Sequence, residues 1–438
     1  MNRPRHVVII GGGFAGLNCA ESFANDDRFK VTLLDQQNHH LFQPLLYQVA
    51  TASLSMVDIA RSLRAILDHA RNVSSFLAEV TGIDPEKKEV MTREGAISYD
   101  SLVLAAGART TYFGKDEWAK HTLDLKSLDD AQEIRRQVLN ALERAEWTED
   151  HELQKKLMTV AIVGGGPTGV ELAGAFSDLL RRALKADYRR IDVHDFRIVL
   201  VEGGGRLLEQ FSKDHSEYTL ERLRKLGVEV VLGHFVDDIK EKYLHLSDGR
   251  VIEAETLIWA AGVAASPLTE SLDCPRDRSG RIEVSPSLAV PGYPDIFAAG
   301  DLVALTDPNG LEVPGLAPAA MQMGKHVGKV LREDLRLQST RYADRHLEFR
   351  PAFKYRDKGI MAIIGKNTAV AQAGKLKLRG FPAWVAWLGI HLAFLVGFRN
   401  KLAVLLSWAF SYLFDKPGAR VFTTSTETGI PDHPDPQE

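Results

Sequence analysis

Short apolar runs recur along the chain, each followed by a turn and then by apolar positions at helical spacing. Residues 6–10 (HVVII) read as a buried strand, with Leu17, Ala20 and Phe23 on one face of a helix behind it. Residues 31–34 form a second such run and 102–107 (LVLAAG) a third. The succession starts again at 160–163, continues through Leu172, Ala173 and Phe176 at helical spacing, then 197–201, and closes at 257–262 (LIWAAG). Unbroken apolar strands alternating with helices predict a parallel sheet covered on both faces, an α/β fold. Towards the end the pattern changes. Residues 381–398 (FPAWVAWLGIHLAFLVGF) are nearly uncharged, and beyond Arg399, Asn400 and Lys401 a second run places Leu402, Leu405, Leu406, Ala409, Phe410 and Leu413 at helical spacing. Two adjacent helices are expected there.

Glycines give both repeats a chemistry. The first strand enters Gly11-Gly12-Gly13-Phe14-Ala15-Gly16, which opens the helix. Gly11 permits a tight turn, Gly13 lets the backbone approach a pyrophosphate, Gly16 allows close packing, and the helix N-terminus offers free N–H groups to the anion. The second strand ends in Asp35, 19 residues past Gly16, where a carboxylate can grip a ribose hydroxyl. The second repeat carries Gly164-Gly165-Gly166-Pro167-Thr168-Gly169, with Pro167 where a helix-starting proline is tolerated, and its next strand ends in Glu202. The 33 residues from Gly169 to Glu202 include a polar stretch, 186–195, read as a longer helix and loop. Glu202 would accept from a ribose 2′-OH and repel a 2′-phosphate, which favours NADH over NADPH, with Arg206 nearby as a counterweight. Tandem fingerprints with paired AAG strands indicate two Rossmann-like dinucleotide-binding domains.

Composition narrows the class. The 438 residues are 45% apolar and 26% charged, as in an ordinary globular protein, and 54 Lys and Arg against 58 Asp and Glu leave no positive excess for a nucleic acid. Cys19 and Cys274 form no CxxC or CxxxxC, so neither a redox dithiol nor a zinc site is expected. The N-terminal apolar run leads into the glycine loop without the long apolar segment of a secretory signal, which points to a cytoplasmic-type compartment.

Residues 296–301 (IFAAGD) deliver Asp301 into a turn after Gly300. This arrangement resembles the two-dinucleotide flavoprotein superfamily, in which that aspartate contacts the ribityl and pyrophosphate part of FAD. The resemblance implies an FAD domain split in sequence by an inserted NADH domain: residues 1–118 and 290–345 for FAD, 119–289 for NADH, a C-terminal region 346–422, and a disordered tail 423–438. Residues 38–50 (NHHLFQPLLYQVA) and 317–324 (APAAMQMG) are similar to segments of the type II NADH dehydrogenases. In that family the second opens a helix towards the flavin and lines a quinone pocket.

The resemblance assigns FAD to Gly11, Gly13, Ala15, Gly16, Asp35, Gln43, Val80, Gly107, Asp301 and Ala319, and NADH to Gly164, Gly166, Gly169, Glu202 and Gly262. It implies catalytic places for Glu171, Gln322 and Ala320. A helix N-terminus beside the flavin would stabilise negative charge on it. Gln322 could hydrogen-bond a quinone carbonyl, or satisfy loop backbone. Glu171 could position cofactors and relay protons, or be a first-turn glutamate favoured by the helix dipole.

Trp384, Trp387, Trp408, Tyr412 and flanking Lys375, Lys377, Arg379, Arg399 and Lys401 supply aromatic and basic anchors for a headgroup layer, so the C-terminal helices are expected to lie in the membrane interface. At 18 residues, 381–398 is a borderline span; a cap on the FAD domain or a dimer interface would also use such a surface. His391 is read as a satisfied histidine, and 355–365 (YRDKGIMAIIG) as a glycine-broken strand pair with Lys366 in its turn. The implied protein is an FAD-dependent NADH:quinone oxidoreductase on the cytoplasmic face of the plasma membrane, a homodimer that needs no metal and translocates no ions. The rivals are a soluble flavin reductase serving a ferredoxin- or rubredoxin-like protein, and an NADH-sensing scaffold.

Overall fold

The computed structural model describes residues 3–180, 187–192, 195–340, 343–414 and 421; the tail read as disordered lies outside them. The chain divides into two units. One holds Met1–Leu41, Ala60–Thr111 and Val263–Lys358, the other Phe42–Ile59, Tyr112–Gly262 and Gly359–Glu438.

The first unit is built on a six-stranded sheet in the order Ala289–Val290, Tyr293–Ala298, Ser101–Leu104, Arg5–Ile10, Phe29–Asp35, Val73–Leu77. All neighbours are parallel except the edge strand Ala289–Val290. The central strands are buried over residues 7–10 and 102–104, which is why those stretches read as unbroken apolar runs. On this sheet the helix Phe14–Ser22 meets Ala317–Gln338 so closely that a Cβ on Gly324 would stand 2.0 Å from the Ala15 carbonyl oxygen. A buried ion pair, Arg350 to Asp334 at 2.6 Å, ties the following segment to the long helix.

The second unit contains a four-stranded parallel sheet ordered Val228–Leu232, Arg197–Glu202, Thr159–Val163, Thr256–Trp259. It repeats the topology of the first sheet: Ile10 pairs with Leu34 and Leu104 as Val163 pairs with Val201 and Trp259. The same unit carries an antiparallel sheet, Ile360–Gly365, Thr368–Ala373 and Leu376–Gly380, followed by the helices Phe381–Phe394 and Phe398–Phe414.

Several expectations change. Residues 263–289, read with the NADH domain, fall in the first unit, where Val263–Ala265 pairs antiparallel with Ala108–Thr110. Residues 346–358, read with the C-terminal region, also fall there, whereas 42–59 cluster with the second unit. In the latter, Asn400 donates to the carbonyls of Val57 at 2.9 Å and Asp58 at 3.0 Å. The strand pair expected over 355–365 is instead Ile360–Gly365 with Thr368–Ala373, Lys366 lying in the turn between them. Of the stretch 186–195, read as helix and loop, the described residues 187–192 are turn and bend, with the Arg189 and Arg190 N–H groups donating to Glu146.

Candidate functional site

Each unit holds one glycine cradle, and the two are built alike. Gly11 has φ +103° and Gly164 φ +113°, and a Cβ on either would lie 2.3 Å from the Ala105 carbonyl oxygen or 2.7 Å from that of Ala260. Neither position tolerates a side chain. Gly16 and Gly169 sit where a Cβ would come within 1.8 Å of the Gly11 and Gly164 carbonyl oxygens. Gly13 and Gly166 differ, because a Cβ there would meet nothing within 4 Å; their bareness leaves room for another molecule. Both helices begin without a side-chain cap and without an acid in the first turn, so their N-terminal N–H groups stay available to an anion. Gly107 and Gly262 close the paired AAG segments at φ +67° and +78°.

The carboxylates at the strand ends also correspond. Asp35 accepts from the N–H of Gly12 at 2.5 Å and of Gln37 at 2.6 Å. Glu202 accepts from Gly165 at 2.6 Å and Gly204 at 2.6 Å. Each acid thus braces its own glycine loop. Burial raises the pKa of Asp35, opposed by these two N–H groups. Arg206, weighed above as a partner for a 2′-phosphate, spends its guanidinium on the Phe211 carbonyl at 2.9 Å and the Glu209 carbonyl at 2.5 Å.

In the first unit, Ala15, Ala320 and the turn that carries Asp301 converge: a Cβ on Gly300 would lie 3.2 Å from Ala15 and 3.7 Å from Ala320. Ala319 and Ala320 are buried in the first turn of Ala317–Gln338. Val80 opens the strand Val80–Asp84, shortly after Ala78 donates to the Asp35 carbonyl at 2.8 Å. A residue that the motif reading passed over is His40. Its buried ring meets the Gly12 carbonyl at 2.9 Å and stands edge-on to Phe14, and burial lowers its pKa. Gln43 belongs to the second unit, exposed in a short 3-10 turn.

Gln322 binds its own helix and a loop. Its amide donates to the carbonyls of Pro318 at 3.0 Å and Arg356 at 3.1 Å, and accepts from the Arg356 N–H at 3.0 Å. The side chain is thereby a clamp between helix and loop.

Glu171 is not a first-turn glutamate: it is the fifth residue of Pro167–Asp178. That helix presses onto Ile360–Gly365, where a Cβ on Gly174 would come within 1.8 Å of the Ile364 carbonyl oxygen. Part of Glu171 stays reachable by solvent, yet protein atoms crowd the carboxyl, and burial pushes its pKa to about 8, opposed by one N–H from Ile363 at 3.3 Å. Nearby, Trp408 donates to Gln48 at 2.8 Å and Gln48 to the Tyr47 hydroxyl at 2.8 Å. The Tyr47 pKa is raised well above its usual value, first by burial and then by Glu171. His391 is satisfied as expected, through the Trp387 carbonyl at 2.7 Å, and burial lowers its pKa to about 4.

Among the described residues, no helix is long and apolar enough to cross a membrane. The terminal helices nevertheless expose a run of large apolar side chains, Phe398 at 82% and Leu413 at 71% among them.

Comparison with known proteins agrees with this construction. Residues 5–324 match the family described as pyridine nucleotide-disulphide oxidoreductase. The chain is similar to two proteins of Mycobacterium tuberculosis. It is 40% identical over 433 residues to type II NADH:quinone oxidoreductase Ndh, covering 96% of this chain and 91% of that one. It is also 40% identical over 434 residues to type II NADH:quinone oxidoreductase NdhA, covering 96% and 90%. A solved structure of NDH2 from Plasmodium falciparum in complex with NADH shares the fold, with a TM-score of 0.87 at 22% identity over 96% of this chain and 100% of that one. The chain belongs to the pyridine nucleotide-disulphide oxidoreductases and, within them, to the type II NADH:quinone oxidoreductases.

Proposed function

We propose that this enzyme oxidises NADH at the second cradle and reduces a quinone at a membrane surface, with FAD resident in the first cradle. The observation that carries the reading is the pair of matching glycine cradles, each with an uncapped helix N-terminus and a carboxylate at the end of the neighbouring strand. The chemistry that FAD supplies when bound is acceptance of a hydride and delivery of two electrons to a quinone. Gly11, Gly13, Ala15 and Gly16 would hold its pyrophosphate, Asp35 a ribose, and Asp301 with Gly107, Val80 and Ala319 the remainder. Gly164, Gly166, Gly169 and Gly262 would hold NADH. Glu202 takes its ribose hydroxyls and turns away a 2′-phosphate, while the Arg206 guanidinium is directed at the Phe211 and Glu209 carbonyls.

Glu171 is the proposed proton carrier. With its pKa at about 8 the carboxyl is protonated at neutral pH and can release a proton to a group becoming basic on reduction. Gln322 would act through the loop it clamps, with Ala320 beside it on the same helix. The exposed apolar faces of Phe381–Phe394 and Phe398–Phe414, with the basic residues flanking them, support attachment to the cytoplasmic face of a membrane without spanning it. A homodimer and the absence of ion translocation complete the reading, both resting on the family resemblance.

Anaerobic stopped-flow tests it. Addition of NADH should bleach the flavin rapidly, and a short-chain quinone should restore it rapidly. Fast bleaching with sluggish recovery would point to a protein acceptor, and no bleaching would end the oxidoreductase reading.

A further inference from the structure

We propose that Phe235 forms the wall against which the adenine of NADH stacks, and so sets the affinity of the enzyme for the adenosine half of its substrate. This rests on the reading of Glu202 as the ribose carboxylate. Phe235 lies outside both glycine motifs, and it is 67% exposed, where an unpartnered phenyl ring gains little from burial.

Its position is nonetheless built. The backbone is held from both sides, its N–H donating to the Ser247 hydroxyl at 3.2 Å and its carbonyl accepting from the Ser247 N–H at 2.9 Å. The ring lies over Gly203, the residue that follows Glu202, so closely that a Cβ there would stand 2.6 Å from the ring edge. Gly203, Gly204 and Gly205 together leave the ledge beyond Glu202 without side chains, and the Gly204 N–H already braces the carboxylate. An adenosine whose ribose reaches Glu202 must lay its base along that ledge, and the aromatic ring standing over it is Phe235. The open face of a phenyl ring beside a hydrogen-bonding carboxylate suits a purine, since stacking asks only for a π-surface while the acid fixes the sugar.

The test separates the adenosine half from the nicotinamide half. ADP-ribose binding is measured by calorimetry on the FAD-loaded enzyme, alongside KM for NADH and for reduced nicotinamide mononucleotide, which lacks the adenosine. Phe235→Ala should weaken ADP-ribose and raise KM for NADH by on the order of 10-fold. It should leave KM for the mononucleotide and kcat unchanged, and Phe235→Tyr should behave as wild type. Gly203→Ala, which pushes the ring off the ledge, should weaken ADP-ribose similarly, with no further loss when combined with Phe235→Ala. If Phe235→Ala binds ADP-ribose normally while Glu202→Ala does not, stacking is overturned and the ribose reading stands. If neither variant weakens ADP-ribose, both are overturned, and an equal loss for NADH and the mononucleotide would overturn a specific adenine role.

Discussion

The two glycine cradles share strand order, φ angles and a carboxylate brace, but their surroundings differ. Around the first, the strand His39–Leu41 pairs with Ala60–Ser62 and His40 bonds the Gly12 carbonyl, while a leucine crowds the second glycine of both loops, Leu63 at Gly12 and Leu207 at Gly165. Around the second, the carboxylate is followed by three glycines and an exposed phenyl ring. On the proposed division of ligands, these surroundings match two kinetic purposes. Enclosure slows release and suits a resident cofactor, whereas an open ledge lets a substrate enter and leave each turnover.

The sharpest way to break this comparison is at the turn glycines. Gly11→Ala places a methyl against the Ala105 carbonyl at a left-handed φ, and should give protein without bound flavin and with activity reduced at least 100-fold, read from flavin absorbance against total protein. Gly164→Ala should keep its flavin and lose the NADH-driven bleach. Flavin loss in the second variant would show that the cradles do not divide the ligands as proposed.

The Glu171 carboxyl comes next. Turnover with quinone should fall as pH rises through about 8, where its proton is lost, and Glu171→Gln should be roughly 10-fold slower or more and without that inflection. Stability gives an independent reading. The folded state binds this proton more tightly than the unfolded chain, where a glutamate has its ordinary pKa of 4.5, so stability is full below that value and declines as pH climbs to about 8. Melting temperatures of wild type and Glu171→Gln should diverge by a few degrees between acid and alkaline pH, the variant gaining. Parallel curves would remove the basis for the proton role.

Glu202→Ala should raise KM for NADH and lower it for NADPH, each by roughly 10-fold, because a hydrogen bond to a charged group and a repulsion disappear together. Unchanged preference would place the specificity elsewhere. The smallest effect lies outside both cradles: Trp408→Phe removes the donor to Gln48 and should cost about 1 kcal/mol in thermal unfolding without altering flavin content or KM for NADH.

Particular residues show how far the amino-acid order could be read. Gly11, Gly16, Gly164 and Gly169 were legible because turn, strand end and helix start are neighbours in sequence: their spacing predicts a glycine-only turn at Gly11 and Gly164 and a close backbone approach at Gly16 and Gly169. The carboxylates at 35 and 202 followed from strand length. The two C-terminal helices were visible from apolar spacing, and the chain bends between them at Gly397, φ +92°.

Other features depend on partners far along the chain. Gln322 offered a quinone ligand on paper, yet its amide is claimed by Arg356, 34 residues on. Glu171 was open between a proton relay and a first-turn helical acid, and the crowding of its carboxyl comes from Ile360–Gly365, far along the chain. Segment 42–59 was read within the first part of the FAD domain, whereas hydrogen bonds from Asn400 and Trp408 bring it to the terminal helices. Phe235 carried no motif, and acquires meaning from the glycine across which it lies. Motif chemistry is local, because phosphate-binding geometry is a property of a few consecutive dihedrals. Burial, pKa and hydrogen-bond commitment are set by whichever distant atoms arrive at a site, and those arrivals follow from packing across the whole fold.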